Sequence, residues 1–126
     1  MESATLHGQK AEFDVLLQSA VDDALMTLGE SVKQAIYFHI ENGFNVPKNN
    51  VFENIETFKV GLERIFGAGA RFIEIMIMKN LHSKIGLSLE IEGDELDFVK
   101  YINAAQESYD KTVTVSLAEE VSLPIE

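Results

Sequence analysis

The chain contains no cysteine and no tryptophan, only two prolines, and few positive charges. Without cysteine there is no disulfide framework, no thiol catalysis and no zinc or iron–sulfur site built on thiolates; the lack also suits a reducing compartment. Ten Lys and Arg stand against 21 Asp and Glu, a formal charge of −11. That deficit argues against broad, nonspecific binding of nucleic acid and against anionic membranes, because both require a positive footprint. No long hydrophobic run is present. The longest apolar concentration, Phe72 to Met78, is broken by Glu74 and falls far short of the about 20 residues of a spanning helix. Met1 to Lys10 is polar and mixed, without the apolar stretch and small-residue cleavage site of a signal peptide, so a cytoplasmic location is expected.

What is present is one domain's worth of chain: 126 residues, 46% of them hydrophobic, enough to bury a single core and too little for two. The charge is uneven. Residues 1–86 hold 11 acids and 8 bases, whereas residues 87–126 hold 10 acids and 2 bases, so the balance shifts from −3 to −8 at Gly86. This divides the chain into an N-terminal polar segment over 1–10, a helical domain over 11–86 and an acidic C-terminal extension over 87–126.

Periodicity predicts four helices in the middle part. Phe13, Leu16, Leu17, Ala20, Ala24 and Leu28 form the stripe of the first, with Asp14, Gln18 and Asp22 opposite. Thr27-Leu28-Gly29-Glu30 has the form of a capping box. A second helix follows to about Asn42, with Val32, Ala35, Ile36, His39 and Ile40 inward and Tyr37 outward, ended by Asn42-Gly43. Asn54 is the expected N-cap of a third helix, which carries Ile55, Phe58, Leu62, Ile65 and Phe66 on one side and a Lys59/Glu63 pair on the other. The stretch Gly67-Ala68-Gly69-Ala70 reads as a tight corner where backbones approach closely. A fourth helix from about Gly69 to Ile85 is apolar nearly all round in its middle and is expected to be central.

Beyond Gly86 the period changes. Leu87 to Glu92 and Thr112 to Leu117 alternate as short β segments do, around a helical pattern of Leu96, Val99, Ile102, Ala105 and Tyr109 opened by Asp94. Two strands are marginal alone and the segment is strongly acidic, so it reads as a loosely held extension. As such it is expected to act as a salt-sensitive lid near Lys79, His82 and Lys84, on which the helical domain does not depend. The fold class expected is mainly α, a compact bundle of four helices plus this extension with a fifth helix.

The run Leu28-Gly29-Glu30-Ser31-Val32-Lys33-Gln34-Ala35-Ile36-Tyr37-Phe38-His39 is followed by Phe58, Leu62 and Glu63, then by Ile65-Phe66-Gly67-Ala68-Gly69-Ala70, Ile73-Glu74 and Met78-Lys79-Asn80-Leu81-His82. Together these blocks resemble the archaeal Nitrosopumilus output domain family over roughly residues 25–86. The resemblance implies a small helical domain, found alone or attached to sensor histidine kinases, that serves as a signal output. It brings no biochemical activity and does not reach residues 87–126.

The candidate residues for interaction or for structure are His39, Gly67, Gly69, Arg71, Glu74, Lys79 and His82. Gly67 and Gly69 at a helix start could face an anion. They follow a helix rather than a strand, however, and lack both the dinucleotide fingerprint and a Walker lysine, which favours a packed corner, one that Gly69→Val would disrupt. His39, on the apolar stripe, reads as a hydrogen-bonded histidine that is buried or half-buried. His82, near a helix C-terminus, reads as a cap or surface position. Arg71 and Glu74, one turn apart, suit a surface ion pair, with a buried Glu74 bonded to His39 or a helix end as the variant. Glu74 and His82 are eight residues apart on one helix, about 12 Å, too far to share one metal ion. No catalytic constellation, metal site or cofactor motif emerges. The expectation is a noncatalytic output or adaptor module whose partner is a protein, with no membrane and no nucleic-acid role. The alternatives are a transcriptional regulator with a helix-turn-helix element and a small-molecule sensor with a cavity between helices 2 and 4.

Overall fold

Five helices form the molecule in the computed structural model, which describes the backbone of residues 2–86 and 97–122 and the side chains of residues 12–86 and 97–111. In chain order they are α1 (Glu2–Met26), α2 (Glu30–Phe44), α3 (Ile55–Phe66), α4 (Ala70–Ile85) and α5 (Phe98–Ser122). Short 3₁₀ turns at Lys48–Asn50 and Phe52–Asn54 lead from α2 to α3, and another at Gly67–Gly69 leads from α3 to α4. The fold is mainly α, as the periodicity predicts. No helix of the described residues is long and apolar enough to cross a membrane.

The N-terminal segment read as merely polar is the first part of α1. The helix buries Phe13, Leu17, Ala20, Val21, Ala24 and Leu25, an a/d-like stripe that lies mainly against α4. Its end is closed differently from the expected capping box. The Thr27 hydroxyl donates to the Ala24 carbonyl at 2.6 Å, tying up an orphan acceptor of α1, and α2 starts at Glu30 behind Gly29 with no side-chain cap. Leu28 therefore stands outside both helices and is exposed.

In α2 the buried face is Ile36, Tyr37 and Ile40, rotated from the predicted stripe, so Val32, Ala35 and His39 face solvent. The rotation follows from Tyr37. Its ring fills space at the α1 contact while its hydroxyl donates to Asp22 and accepts from Gln18 Nε2 at 2.9 Å. A tyrosine can be buried when its polar tip is satisfied. Burial, and then the neighbouring Asp22 carboxylate, push the Tyr37 hydroxyl pKa far above its ordinary value. The helix ends at Phe44 rather than Asn42, with Asn45 in the left-handed conformation and its amide bonded to the Glu41 carbonyl.

Helix α3 begins after Asn54 as expected, but the Asn54 amide group donates back to the Asn50 carbonyl at 3.0 Å instead of capping α3. Its close approach to α2 is at Gly61, where a Cβ would lie 3.2 Å from Ile40 Cγ1 and 3.4 Å from Phe44 Cδ2. The packed glycine is thus Gly61, not Gly69, whose nearest neighbour to an added Cβ is Phe66 Cβ at 3.8 Å.

Helix α4 is central as predicted. It buries Ala70, Ile73, Glu74, Ile77, Met78 and Leu81 and packs against α1, α3 and α5.

The acidic extension is not loosely held over its described residues. Asp97, rather than Asp94, caps α5 by accepting the Lys100 amide at 3.2 Å. Phe98, Ile102 and Ala105 are then completely buried in the same core as α1 and α4. Fully burying a Phe or an Ile contributes about 1.5–3 kcal/mol each, which outweighs a diffuse charge imbalance. The strand read at Thr112 to Leu117 is instead helical, a continuation of α5, while that at Leu87 to Glu92 lies outside the described residues. The alternation at 112–117 comes from Thr and Val, whose β preference is weak against a helix already docked for several turns.

Candidate interaction site

The direction of the helices places two corners together. Thr27, at the end of α1, reaches Met76 in the second turn of α4 (3.7 Å to Sδ), while Asn80 further along α4 donates to the Ala20 carbonyl at 3.2 Å. Helices α1 and α4 therefore run antiparallel, and the α1–α2 corner shares one end of the bundle with the α3–α4 corner.

At that end lies a cleft of about 450 Å³ lined by Lys59, Glu63, Gly67, Ala68, Ala70, Arg71 and Glu74. It exists because α3 and α4 diverge around a corner of small residues. Gly67 has φ +57 and nothing within 4 Å of its Cβ position. This backbone region favours glycine, so the residue serves the turn and leaves the mouth open. The expected close-packed corner is therefore an open one.

Glu74 is the one buried charged residue among those described, 5% exposed. Its carboxylate faces Lys59 Nζ at 3.7 Å, and the same ammonium bonds Glu63 one turn along α3. Burial raises the Glu74 pKa above the usual glutamate value; Lys59, and less strongly Arg71, oppose that shift, and Glu63 adds to it. Lys59 is held above its ordinary value chiefly by the bond to Glu63, with Glu74 and Asp97 contributing. The cleft is polar, with cations and carboxylates side by side. Among the described residues no group of three or more His, Asp or Glu side chains could hold a metal ion.

Of the residues singled out in the sequence, the structure brings Gly67, Arg71 and Glu74 together in the cleft, with Gly69 in the turn between them. The other three lie elsewhere. His39 is exposed on α2 with its ring edge-to-face against Phe38, 5.8 Å between centroids, and so is neither buried nor bonded to Glu74. Lys79 is exposed on α4. His82 is half-buried, its Nδ1 3.4 Å from the Tyr101 hydroxyl of α5. At the end of α4, Lys84 pairs with Asp23 at 2.9 Å and His82 faces Tyr101, while Asp94, Glu119 and Glu120 of the expected lid lie outside the residues whose side chains are described.

Lys59 and Glu63 are the cleft residues that sequence reasoning missed. Their i,i+4 spacing was legible, but as a surface pair. Only the crossing of α3 and α4 reveals that the same lysine also answers Glu74. The cleft lies between α3 and α4, not between helices 2 and 4 as the small-molecule alternative requires.

Large apolar side chains are exposed at both corners, among charged ones. Met26, Leu28 and Val32 at one corner and Ile65 and Phe72 at the other are exposed, Phe72 by 73%. The opposite end is closed: the Phe13 ring meets Phe52 edge-on at 5.2 Å and Tyr109 at 6.0 Å.

No protein-family model matches the chain, and neither a curated protein nor a solved structure matches it significantly.

Proposed function

We propose that the chain is a noncatalytic protein-interaction module, an output or adaptor domain of cytoplasmic archaeal signalling, that meets its protein partner through the end of the bundle where the two corners lie. The observation that supports this reading is the set of exposed large apolar residues there: Met26, Leu28, Val32, Ile65 and Phe72. Scattered single apolar residues, such as Val15, Phe38 and Val60, need no explanation, but five of the eight exposed large apolar residues gather at these two corners, and such a group is the usual mark of a docking surface. Phe72 sits beside Arg71, and aromatic and arginine side chains are the types that dominate binding energy at protein interfaces. The resemblance over residues 25–86 supports the same reading, since both corners lie within it.

The test is affinity capture from the native host with three forms of the full chain: wild type, Phe72→Ser and Phe38→Ser. Phe38 is also well exposed, on the outer side of α2, and serves as the control. A partner retained by wild type and Phe38→Ser and lost by Phe72→Ser is the expected result. Equal retention by all three, with circular dichroism showing each folded, would place the interaction elsewhere.

A further inference from the structure

The charges at the proposed docking end differ from those of the rest of the molecule. The two corner segments, residues 24–36 and 58–72, hold four cations, Lys33, Lys59, Arg64 and Arg71, and two acids, Glu30 and Glu63; the remainder holds six bases and nineteen acids. The next acid along α4, Glu74, is buried against Lys59. The two corner segments thus carry +2, or +1 with Glu74 counted, on a chain of formal charge −11, and Asp97 of the remainder also acts on Lys59. Both arginines of the chain are here, Arg64 and Arg71, each exposed and on either side of the Gly67–Gly69 turn. Each immediately precedes one of the exposed apolar residues, Ile65 and Phe72.

Resting on the reading that this end docks a protein, we propose that the partner is an acidic amphipathic segment, its apolar side chains on Phe72, Ile65, Leu28 and Val32 and its carboxylates on Arg64 and Arg71. Arginine presents a planar fork that suits carboxylates. Charges beyond about 10 Å are screened at 0.1 M salt, so a short segment confined to this end is governed by Arg64 and Arg71 more than by the acids that the described residues place elsewhere. An extended anionic surface, such as a lipid bilayer or a nucleic-acid duplex, would meet both and be repelled. A basic segment would be drawn to the molecule as a whole but away from this end.

The experiment follows the amide resonances of the ¹⁵N-labelled full chain on titration with two synthetic helices of about 18 residues, five turns. They share one leucine stripe; one carries glutamate and the other lysine on the remaining face. The glutamate peptide is expected to shift the resonances of Leu28, Val32, Arg64, Ile65, Arg71 and Phe72, and to bind about tenfold or more tighter than the lysine peptide. Its affinity should fall as salt rises from about 50 to about 300 mM. It should also fall about tenfold in an Arg64→Gln/Arg71→Gln variant, both positions being exposed. Tighter binding by the lysine peptide at these same residues overturns the acidic partner yet leaves this end as a docking surface. Failure of the glutamate peptide to bind overturns the inference outright. If in addition Phe72→Ser retains every captured protein, the docking reading falls with it. Two further results overturn the inference by identifying another occupant: stronger shifts of these residues with phosphatidylglycerol vesicles, and their broadening with protein concentration alone.

Discussion

The two ends of the bundle are built from similar residue types and finished in opposite ways. At one end Phe13, Phe52 and Tyr109 come together from α1, the 3₁₀ turn before α3 and α5, and the Tyr109 hydroxyl donates to Glu12 at 2.8 Å. At the other, Leu28, Val32, Ile65 and Phe72 meet no covering element among the described residues and are exposed. The difference lies in the connections. The link from α2 to α3 contributes Val46 and Val51 to the core, and α5 reaches across to the same end. The corners at Thr27–Gly29 and Gly67–Gly69 are too short and too small in side chain to fold over anything. Among the described residues, apolar side chains in so short a corner find nothing that covers them.

The largest expected effect breaks the molecule at its closed side. Phe13→Ala and Phe98→Ala each remove a ring that is completely buried and should cost about 3–5 kcal/mol. Phe72→Ala, at the open end, should stay within about 0.5 kcal/mol. Urea denaturation of the three variants checks this. Because Phe98 and Ile102 belong to the core, a chain ending at Gly86 should also lose cooperative melting, the reverse of what a detachable acidic extension requires.

An intermediate effect distinguishes the two kinds of glycine. Gly61→Val forces branched carbons into a site where even a Cβ lies 3.2 Å from Ile40, and should cost about 1–3 kcal/mol by overpacking. Gly69 has an ordinary helical backbone and an added Cβ would make only an ordinary contact, with Phe66 Cβ at 3.8 Å, so Gly69→Val should be nearly neutral. A severe Gly69→Val with a mild Gly61→Val, measured by thermal melting, would mean that the tight approach is at the corner and not between α2 and α3.

How far this was legible in the sequence depends on the element. The four helices, the centrality of α4 and the break at Gly67 follow from spacing and glycine alone, because a 3.6-residue period and a missing Cβ are local properties. The face of α2 was not legible, since Tyr37 is apolar in its ring and polar at its tip, and what satisfies the tip, Asp22 and Gln18, lies on another helix. The role of residues 98–105 was hidden for a similar reason. Net charge suggested detachment, but burial of Phe98 and Ile102 depends on the groove they enter. Of the cleft, Gly67, Arg71 and Glu74 were visible as candidates, whereas Lys59 joins them only through the crossing of two helices.

The smallest effect concerns the one buried charge among the described residues, which the open end tolerates beside its cleft. Glu74 has a raised pKa in the folded chain, first because of burial, with Glu63 in the same direction and Lys59 and Arg71 against it. Between the ordinary glutamate value of 4.5 and that raised value, the folded state binds more protons at this position than the unfolded state. Stability contributed by the site therefore declines as pH rises through this window and is restored on acidification. Glu74→Gln removes the titration while keeping the shape. Relative to wild type it should gain in urea midpoint as pH is raised from about 4 to about 7 and show little difference at the acid end. Lys59→Met should do the opposite near neutrality, because it leaves the carboxylate buried without its cation, and the double variant should recover the loss. A Glu74→Gln chain that loses stability at neutral pH, with no recovery in the double variant, would show that the Glu74 to Lys59 contact is a net stabilising bond and that the cleft is organised around it.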